Sequence, residues 1–331
     1  MGAKIGERQR WAWLASGLSA AAAANVCGFS WLWVFLGGLA ITVYYIILDR
    51  TLDSAGLAAQ FRTSFGRGGR VLAFLTLLWT ILIMSWTACL ADTAFPMVDG
   101  FPGLGWVLLA LAAWGSRKGP GACARCCGVL CLFLIVLYGV VAIFAVPDVQ
   151  GWYLLPDSQW EQSLWTAGFF LLPAGVWYVP CTRSKKGPAW RIALFLPVGA
   201  AILAAVTVGV LSPELAASRA VPLYDLAQSI SVFGVMERIE PLLSAAMTMG
   251  VFALLSSLTC AAQALADQVM PWQWNAVASC VLAGILMGAA RNLPIGVMTV
   301  GAGVFWMVLP ILSMWIGKRK REKGVDKRGK A

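Results

Sequence analysis

The sequence lacks histidine among its 331 residues, and only 12% of its residues are charged. Without an imidazole, the chain has no histidine to serve as a general base, a metal ligand or a proton relay. G-x-S-x-G, P-loop and H-E-x-x-H motifs are also absent. This excludes Walker-type ATP coupling and the common hydrolase sites within this chain. We therefore expect no enzyme activity and no cofactor.

Cysteine is present nine times, mostly as isolated residues within apolar runs. One group, Cys123, Cys126, Cys127 and Cys131, contains the C-x-x-C spacing that is typical of zinc and redox sites. No second C-x-x-C and no histidine complete a tetrahedral zinc site, so no metal is expected. We interpret these cysteines as small packing residues in a reducing compartment, with acylation of a juxtamembrane thiol as the lesser alternative.

What the sequence has in abundance is apolar residues, which make up 60% of the chain. Soluble domains are about half apolar and rarely contain unbroken runs of roughly 20 apolar residues, the length that crosses a bilayer. Here about ten such runs follow one another, which predicts an all-α polytopic membrane protein. The predicted spans are residues 11–26, 31–48, 71–91, 104–115, 127–146, 164–181, 192–211, 235–266, 272–290 and 295–316.

Positive charge alternates between the connectors, which fixes an orientation. Lysine and arginine cluster before the first span, in every second connector up to residue 191, and in the tail, whereas connectors 92–103 and 147–163 have none. Both termini are therefore predicted to be cytoplasmic. The net charge of +10 lies mostly on that face, which favours topogenic charge and a tail bound to anionic lipid over nucleic-acid binding. We expect tail 318–331 to be disordered.

The N-terminal segment also imitates a secretory signal, because basic residues precede an apolar stretch that ends in alanines. Trp11 and Trp13 instead suggest interfacial anchors of a retained span. The retained span also fits the alternation of charge better. We therefore count it as the first span of a single membrane domain, residues 1–317.

About ten spans divide into two halves, residues 11–146 and 164–316, and an odd number of spans per half inverts the second half relative to the first. The first span of each half is where a broken, ligand-binding helix is expected. Helix-weakening residues occur there, and they are Ser16, Gly17 and Ser19 in the first span and Gly168, Pro173 and Gly175 in the sixth. Main-chain groups freed at such breaks can bind a ligand, with Trp79 and Trp86 as walls, although glycine and proline also serve as packing and kink residues.

The eighth span begins with the strongest polar signal, Glu237, Arg238 and Glu240 in the sequence E-R-I-E-P. At the outer interface these residues would cap a helix N-terminus, where acidic groups are stabilised. If buried, Glu237 or Glu240 would suit coupling to a cation or proton. Ser256, followed by Ser257 and Thr259, offers hydroxyl ligands, although bonding to their own helix is the alternative.

This region carries a family resemblance. Residues 220–266, with V-P-L-Y-D-L-A-Q-S-I-S-V-F-G-V-M-E-R-I-E-P, resemble the endospore germination permease family, the B-type membrane subunit of nutrient germinant receptors. Segments 51–70, 121–125 and 147–156, and the L-L-P of the sixth span, are also similar to that family. The alanine-rich first helix and Gly168 depart from its pattern.

The resemblance implies the five-plus-five inverted-repeat fold of the amino acid, polyamine and organocation transporter superfamily, with a nutrient pocket among the first, third, sixth and eighth helices. It also implies an A-type membrane subunit and a C-type lipoprotein as partners in the spore inner membrane. The expected function is a receptor subunit that binds a small nutrient, such as an amino acid, and signals germination. An ion-coupled secondary transporter in the bacterial cytoplasmic membrane is the alternative, and a scaffold role is a third hypothesis.

Overall fold

The computed structural model describes residues 9, 12–13, 15–16, 30–51, 56–94, 103–155, 189–219, 221–229 and 240–328. Regular structure within these ranges is helical throughout. The described residues of the first span, which include Trp13 and Ser16, are helical as the sequence predicted. The sixth span lies outside the described residues.

Each of the other predicted spans coincides with a described helix. These helices are the second span Trp31–Thr51, the third Gly68–Ala94, the fourth Leu104–Ser116, the fifth Pro120–Ala145, the seventh Ala189–Leu211, the eighth Glu240–Val269 and the ninth Asn275–Ala290. The tenth span begins as Ile295–Gly303, passes through the π-helical turn Val304–Val308 and continues as Leu309–Arg328. The prediction of an all-α polytopic membrane protein is thereby confirmed.

Length and composition alone qualify four described helical stretches for crossing a membrane, Gly68–Cys89, Pro120–Asp148, Pro241–Val269 and Gly296–Lys318. Shorter apolar stretches accompany them, at Trp31–Tyr44, Leu104–Ser116, Pro197–Leu211 and Asn275–Ala290. The fourth span, with 13 residues, is about 20 Å long at 1.5 Å per residue, which is shorter than the hydrocarbon core.

Two helix ends differ from the prediction. The fifth span begins seven residues earlier than expected, at Pro120, because Gly119 takes a positive φ of 83° that ends the preceding turn and proline suits the first helical position. The last helix runs on to Arg328, whereas a disordered tail was expected from residue 318. The apolar tenth span therefore continues into its basic tail without a break.

Several contacts between the spans match between the two predicted halves. The second span packs against the seventh, the third against the eighth and the fourth against the ninth. Each of these pairs joins equivalent spans of the two predicted halves. The third span also packs against the ninth, and the fourth packs against the eighth. These two contacts are equivalent to each other when the halves are exchanged, and both are extensive. The third and eighth spans thus form the centre of the bundle.

Short elements close the ends of this bundle. The connector helix Gly56–Phe65 buries Leu57 and Phe61 completely, and Ser64 Oγ donates to the carbonyl of Ser313 over 2.7 Å. On the outer side, the indole of Trp31 donates to the carbonyl of Leu154 over 2.9 Å. These contacts fasten the connectors to the spans.

The π-helical turn in the tenth span has a chemical cause. Pro310 has no backbone N–H, so the carbonyl of Trp306 loses its usual helical donor. The hydroxyl of Tyr44, in the second span, donates to this carbonyl over 2.8 Å and to that of Met307 over 3.1 Å. A side chain of the second span therefore supplies the hydrogen-bond donor that the helix of the tenth span lacks at this turn.

Local partners are found at two exceptions to the charge alternation. Arg219, a basic residue on the outer side, pairs with Asp225 over 3.5 Å between side-chain atoms. The eighth connector, which lacks basic residues, is held by Asp267 accepting a 2.7 Å hydrogen bond from the side-chain amide of Asn275. Such pairs stabilise a connector without changing the overall bias in charge.

Candidate solute-binding site

A separate buried cluster forms where the first span meets the fifth and eighth. Its members are Trp13, Cys123, Ala124, Cys127, Ala253 and Cys260, and we call it the junction cluster. The first and fifth spans are neighbours here, because a Cβ at Gly128 would lie 4.0 Å from the Cβ of Ala12. The thiol of Cys260 lies 3.7 Å from the sulfur of Cys123, which joins the eighth span to the fifth.

Ser256 belongs to the same face of the eighth span, because it lies three residues after Ala253 and four before Cys260. Its side chain is 2% exposed. The Oγ atom has no hydrogen-bond partner among the described residues. A buried hydroxyl without a partner is rare in native structures, since desolvation costs about 1–3 kcal/mol.

The neighbouring hydroxyls of the eighth span behave differently. Ser257 donates to the carbonyl of Leu254 over 2.5 Å, and Thr259 donates to that of Leu255 over 2.7 Å. Both therefore bond to their own helix, which was the alternative interpretation of this sequence. Of the three hydroxyls, Ser256 is the one left available to a ligand by the described residues.

Ser16 borders the junction cluster from the first span. It is fully buried, and its hydroxyl donates to the carbonyl of Trp13 over 2.9 Å. The hydroxyl also shares a hydrogen bond with the thiol of Cys127. Ser16 thus borders the junction cluster, and Ser256 lies on the face of the eighth span that contributes Ala253 and Cys260 to it, although Ser16 is already hydrogen-bonded.

The position of Trp13 in the fold differs from the prediction. Its sequence position suggested an interfacial anchor, but its side chain is 1% exposed and lies inside the junction cluster. The indole Nε1 has no acceptor among the described residues. Helical spacing offered a signal, because Trp13 precedes Ser16 by three residues and so shares its face.

Trp79, expected to be a pocket wall, packs between the third and tenth spans. Its ring stacks on that of Phe305 with centroids 5.3 Å apart and lies directly over Gly301, where any side chain would collide with it. Trp79 Nε1 also lacks a partner among the described residues. Trp86 is half-buried and packs against the main core.

Several candidate residues lie outside the described residues and stay predictions: Gly17, Ser19, Gly168, Pro173, Gly175, Glu237 and Arg238. Glu240 is the first residue of the eighth span and is followed by Pro241. This position suits an acidic residue beside the positive end of a helix, with proline in the first turn.

The described interior is electrically neutral. Its buried polar side chains are serine and threonine hydroxyls together with Gln60 and Asn275, and none of them carries a charge. The described ranges also bring together no group of three or more Cys, Asp or Glu side chains that could hold a metal ion. The described side of the junction therefore offers a hydroxyl and an indole N–H, which suit a polar ligand.

Comparisons with known proteins place the fold. No family model and no curated protein matches the sequence. Among solved structures, the chain is similar to Mhp1, a nucleobase-cation-symport-1 family transporter, in a closed conformation with bromovinylhydantoin bound. The TM-score is 0.66 at 14% identity, over 95% of this chain and 78% of that chain. The chain accordingly has the five-plus-five inverted-repeat transporter fold of an integral membrane protein.

Proposed function

We propose that this chain binds a small polar solute where its first span meets the fifth and eighth, and that it does so as the B-type subunit of a spore germinant receptor. The observation that carries the binding site is the buried, unpartnered hydroxyl of Ser256. An amino acid is the solute class that the family resemblance favours.

The chemistry of the junction supports a polar ligand. A buried unpaired hydroxyl costs about 1–3 kcal/mol, and a ligand that accepts or donates a hydrogen bond there recovers that cost. The indole N–H of Trp13 adds a donor on the first span. Main-chain groups at Gly17 and Ser19, and at Gly168, Pro173 and Gly175 of the sixth span, would complete a site for a carboxylate or an amine.

The receptor role rests on the sequence resemblance of residues 220–266, together with a fold of the expected type. In this role, bound solute shifts the chain between two conformations, which requires a different affinity for each. An A-type membrane subunit and a C-type lipoprotein would receive that signal in the inner membrane of the spore. The basic tail would bind anionic lipid on the cytoplasmic side.

An ion-coupled secondary transporter of amino acids or related solutes is the second candidate. The observation that favours it is the shared fold with a protein described as a cation-symport transporter. The described buried polar side chains are neutral, and the coupling carboxylate proposed here is Glu237 or Glu240, at the start of the eighth span. Arg238 would then be the local counter-charge for these acids.

Binding and transport are tested together with the purified protein in liposomes. A panel of labelled amino acids is assayed first for thermal stabilisation, because a ligand at 100 times its Kd adds about 2.7 kcal/mol to the native state. The same panel is then assayed for uptake with and without an ion gradient. Stabilisation without uptake supports the receptor, and gradient-driven uptake overturns it in favour of the transporter.

Partner signalling needs a separate experiment. The chain is co-expressed with A-type and C-type subunits, and co-purification and nutrient-triggered germination are measured. The variant Ser256→Ala should keep co-purification but require a higher nutrient concentration for the same response, with Ser257→Ala as the matched control. If replacing Gly17, Pro173 and Gly175 leaves the nutrient response unchanged while loss of the whole chain abolishes partner assembly, the chain is a scaffold.

A further inference from the structure

A cavity lies between the fourth and ninth spans. It has a volume of about 330 Å³, within the range of roughly 300–1,000 Å³ of small-molecule sites. Its lining comprises Trp106, Leu109, Ala110, Ala113, Trp114, Arg117, Val277, Cys280 and Val281. Apart from Arg117 this lining is apolar, and we call the cavity the lateral groove.

The lateral groove opens sideways. Trp114 is 71% exposed and Val281 is 47% exposed, while Leu109 and Cys280 are buried and form the floor. Both walls belong to membrane spans, so the open side faces the hydrocarbon of the bilayer. An occupant therefore reaches the groove through the lipid phase.

The two ends of the lateral groove are different. The outer end is closed by Trp106, whose ring packs onto Gly284 so tightly that any side chain at Gly284 would overlap it. The inner end has Arg117, whose guanidinium lies 4.7 Å from the ring centroid of Trp274. The described residues show no carboxylate partner for Arg117. The positive charge thus stands at the mouth of an apolar groove.

The length of the lateral groove matches the thickness of one leaflet of the membrane. Trp106 and Arg117 are eleven residues apart on one helix, which spans roughly 16 Å at 1.5 Å per residue. Half of the hydrocarbon core is roughly 15 Å thick. An acyl chain of the cytoplasmic leaflet therefore extends from the level of Arg117 to Trp106.

Charge decides which lipid is held. Arg117 and Lys118 lie in the connector before the fifth span and Arg125 lies near the start of that span, and residues 116–126 include no acidic residue. Cationic side chains near the surface attract anionic headgroups. We propose that the lateral groove binds one anionic phospholipid of the cytoplasmic leaflet, with its headgroup on Arg117 and one acyl chain along the fourth and ninth spans.

The test uses the full chain in phosphatidylcholine vesicles that contain a small amount of phosphatidylglycerol with a diazirine on its acyl chain. After irradiation, the labelled peptides are mapped by mass spectrometry. We expect label to concentrate on Ala110, Trp114 and Val281. Equal labelling of Val129 and Ile135, two exposed residues of the fifth span, would overturn a specific site.

Charge and shape are then varied separately. Arg117→Gln should reduce groove labelling by phosphatidylglycerol about fivefold, since one cation near the surface contributes about that factor. Lys118→Gln, the matched charge control, should change it less than twofold. A phosphatidylcholine probe that labels the groove as strongly as phosphatidylglycerol would overturn the headgroup assignment.

For shape, Ala110→Trp fills the lateral groove and should abolish labelling, whereas Ala245→Trp, at an exposed alanine of the eighth span, should not. If Ala110→Trp fails to fold, Val281→Trp fills the groove from the opposite wall. Crosslinks between two copies of the chain at Trp114, in place of lipid adducts, would show that a second copy covers the groove and would overturn the proposal.

Discussion

Replacing Ser256 by alanine should have opposite effects on stability and on ligand binding. The hydroxyl is buried without a partner among the described residues, so its removal relieves a desolvation cost of about 1–3 kcal/mol. We expect the ligand-free protein to keep or raise its melting temperature, by roughly 2 °C for each kcal/mol in a chain of this size. Most substitutions in a helical core lower it.

Ligand binding should respond in the other direction. A hydrogen bond from Ser256 to a neutral ligand group contributes about 0.5–1.5 kcal/mol, and one to a charged group contributes about 1.5–3 kcal/mol. Loss of the hydroxyl should therefore raise the Kd by about 2-fold to 100-fold, depending on the charge of that group. Thermal unfolding in detergent measures the first effect, and equilibrium binding of the stabilising amino acid measures the second.

Ser257→Ala is the matched control, because Ser257 is equally buried but bonded to the carbonyl of Leu254. Its removal should leave the Kd unchanged and the melting temperature nearly so, since such bonds to the same helix contribute little. The reasoning is refuted if Ser256→Ala destabilises the protein more than Ser257→Ala. It is also refuted if both variants bind the ligand as the unsubstituted protein does.

Other contacts allow further tests. Tyr44→Phe removes the hydroxyl donor from the carbonyls of Trp306 and Met307, which should destabilise the fold by about 1–3 kcal/mol. The melting temperature should then fall by roughly 2–6 °C. An unchanged melting temperature would contradict the assigned hydrogen bonds. Gly301→Ala should destabilise the fold by about 1–3 kcal/mol, since the new methyl group meets Trp79, and Trp79→Leu should rescue it in a double-mutant cycle. In a variant whose only cysteines are Cys123 and Cys260, mercuric ion should bridge the two thiols. After the polypeptide is cleaved between the fifth and eighth spans, the bridge should hold the two fragments together. Separation of the fragments would refute this packing.

Much of the fold was predictable because the bilayer imposes lengths and orientations on a chain. The apolar runs located the described spans, and the alternating charge predicted their directions. The connector helix Gly56–Phe65 was not predicted, because it is stabilised by burial of Leu57 and Phe61 against other spans. The helical end at Arg328 was also missed, because charge alone does not prevent a helix from continuing beyond its apolar part.

The candidate site was predictable only in part. Ser256 and Ser16 were selected as polar residues on membrane spans; Ser16 borders the junction cluster, and Ser256 shares a helix face with its members Ala253 and Cys260. The sequence could not distinguish Ser256 from Ser257, because the difference is whether each hydroxyl meets its own helix or another span. Trp13 was assigned to the interface because tryptophan is common there, and its burial depends on spans that are distant in sequence.

The sequence by itself determined that this chain is a membrane protein of many helical spans, since run length and charge bias act on each span separately. The tertiary structure decided everything that depends on two spans meeting. It left Ser256 without a partner among the described residues. It also placed Arg117 at the mouth of an apolar groove. These features arise from side chains brought together across the bundle, and no local pattern in the chain encodes them.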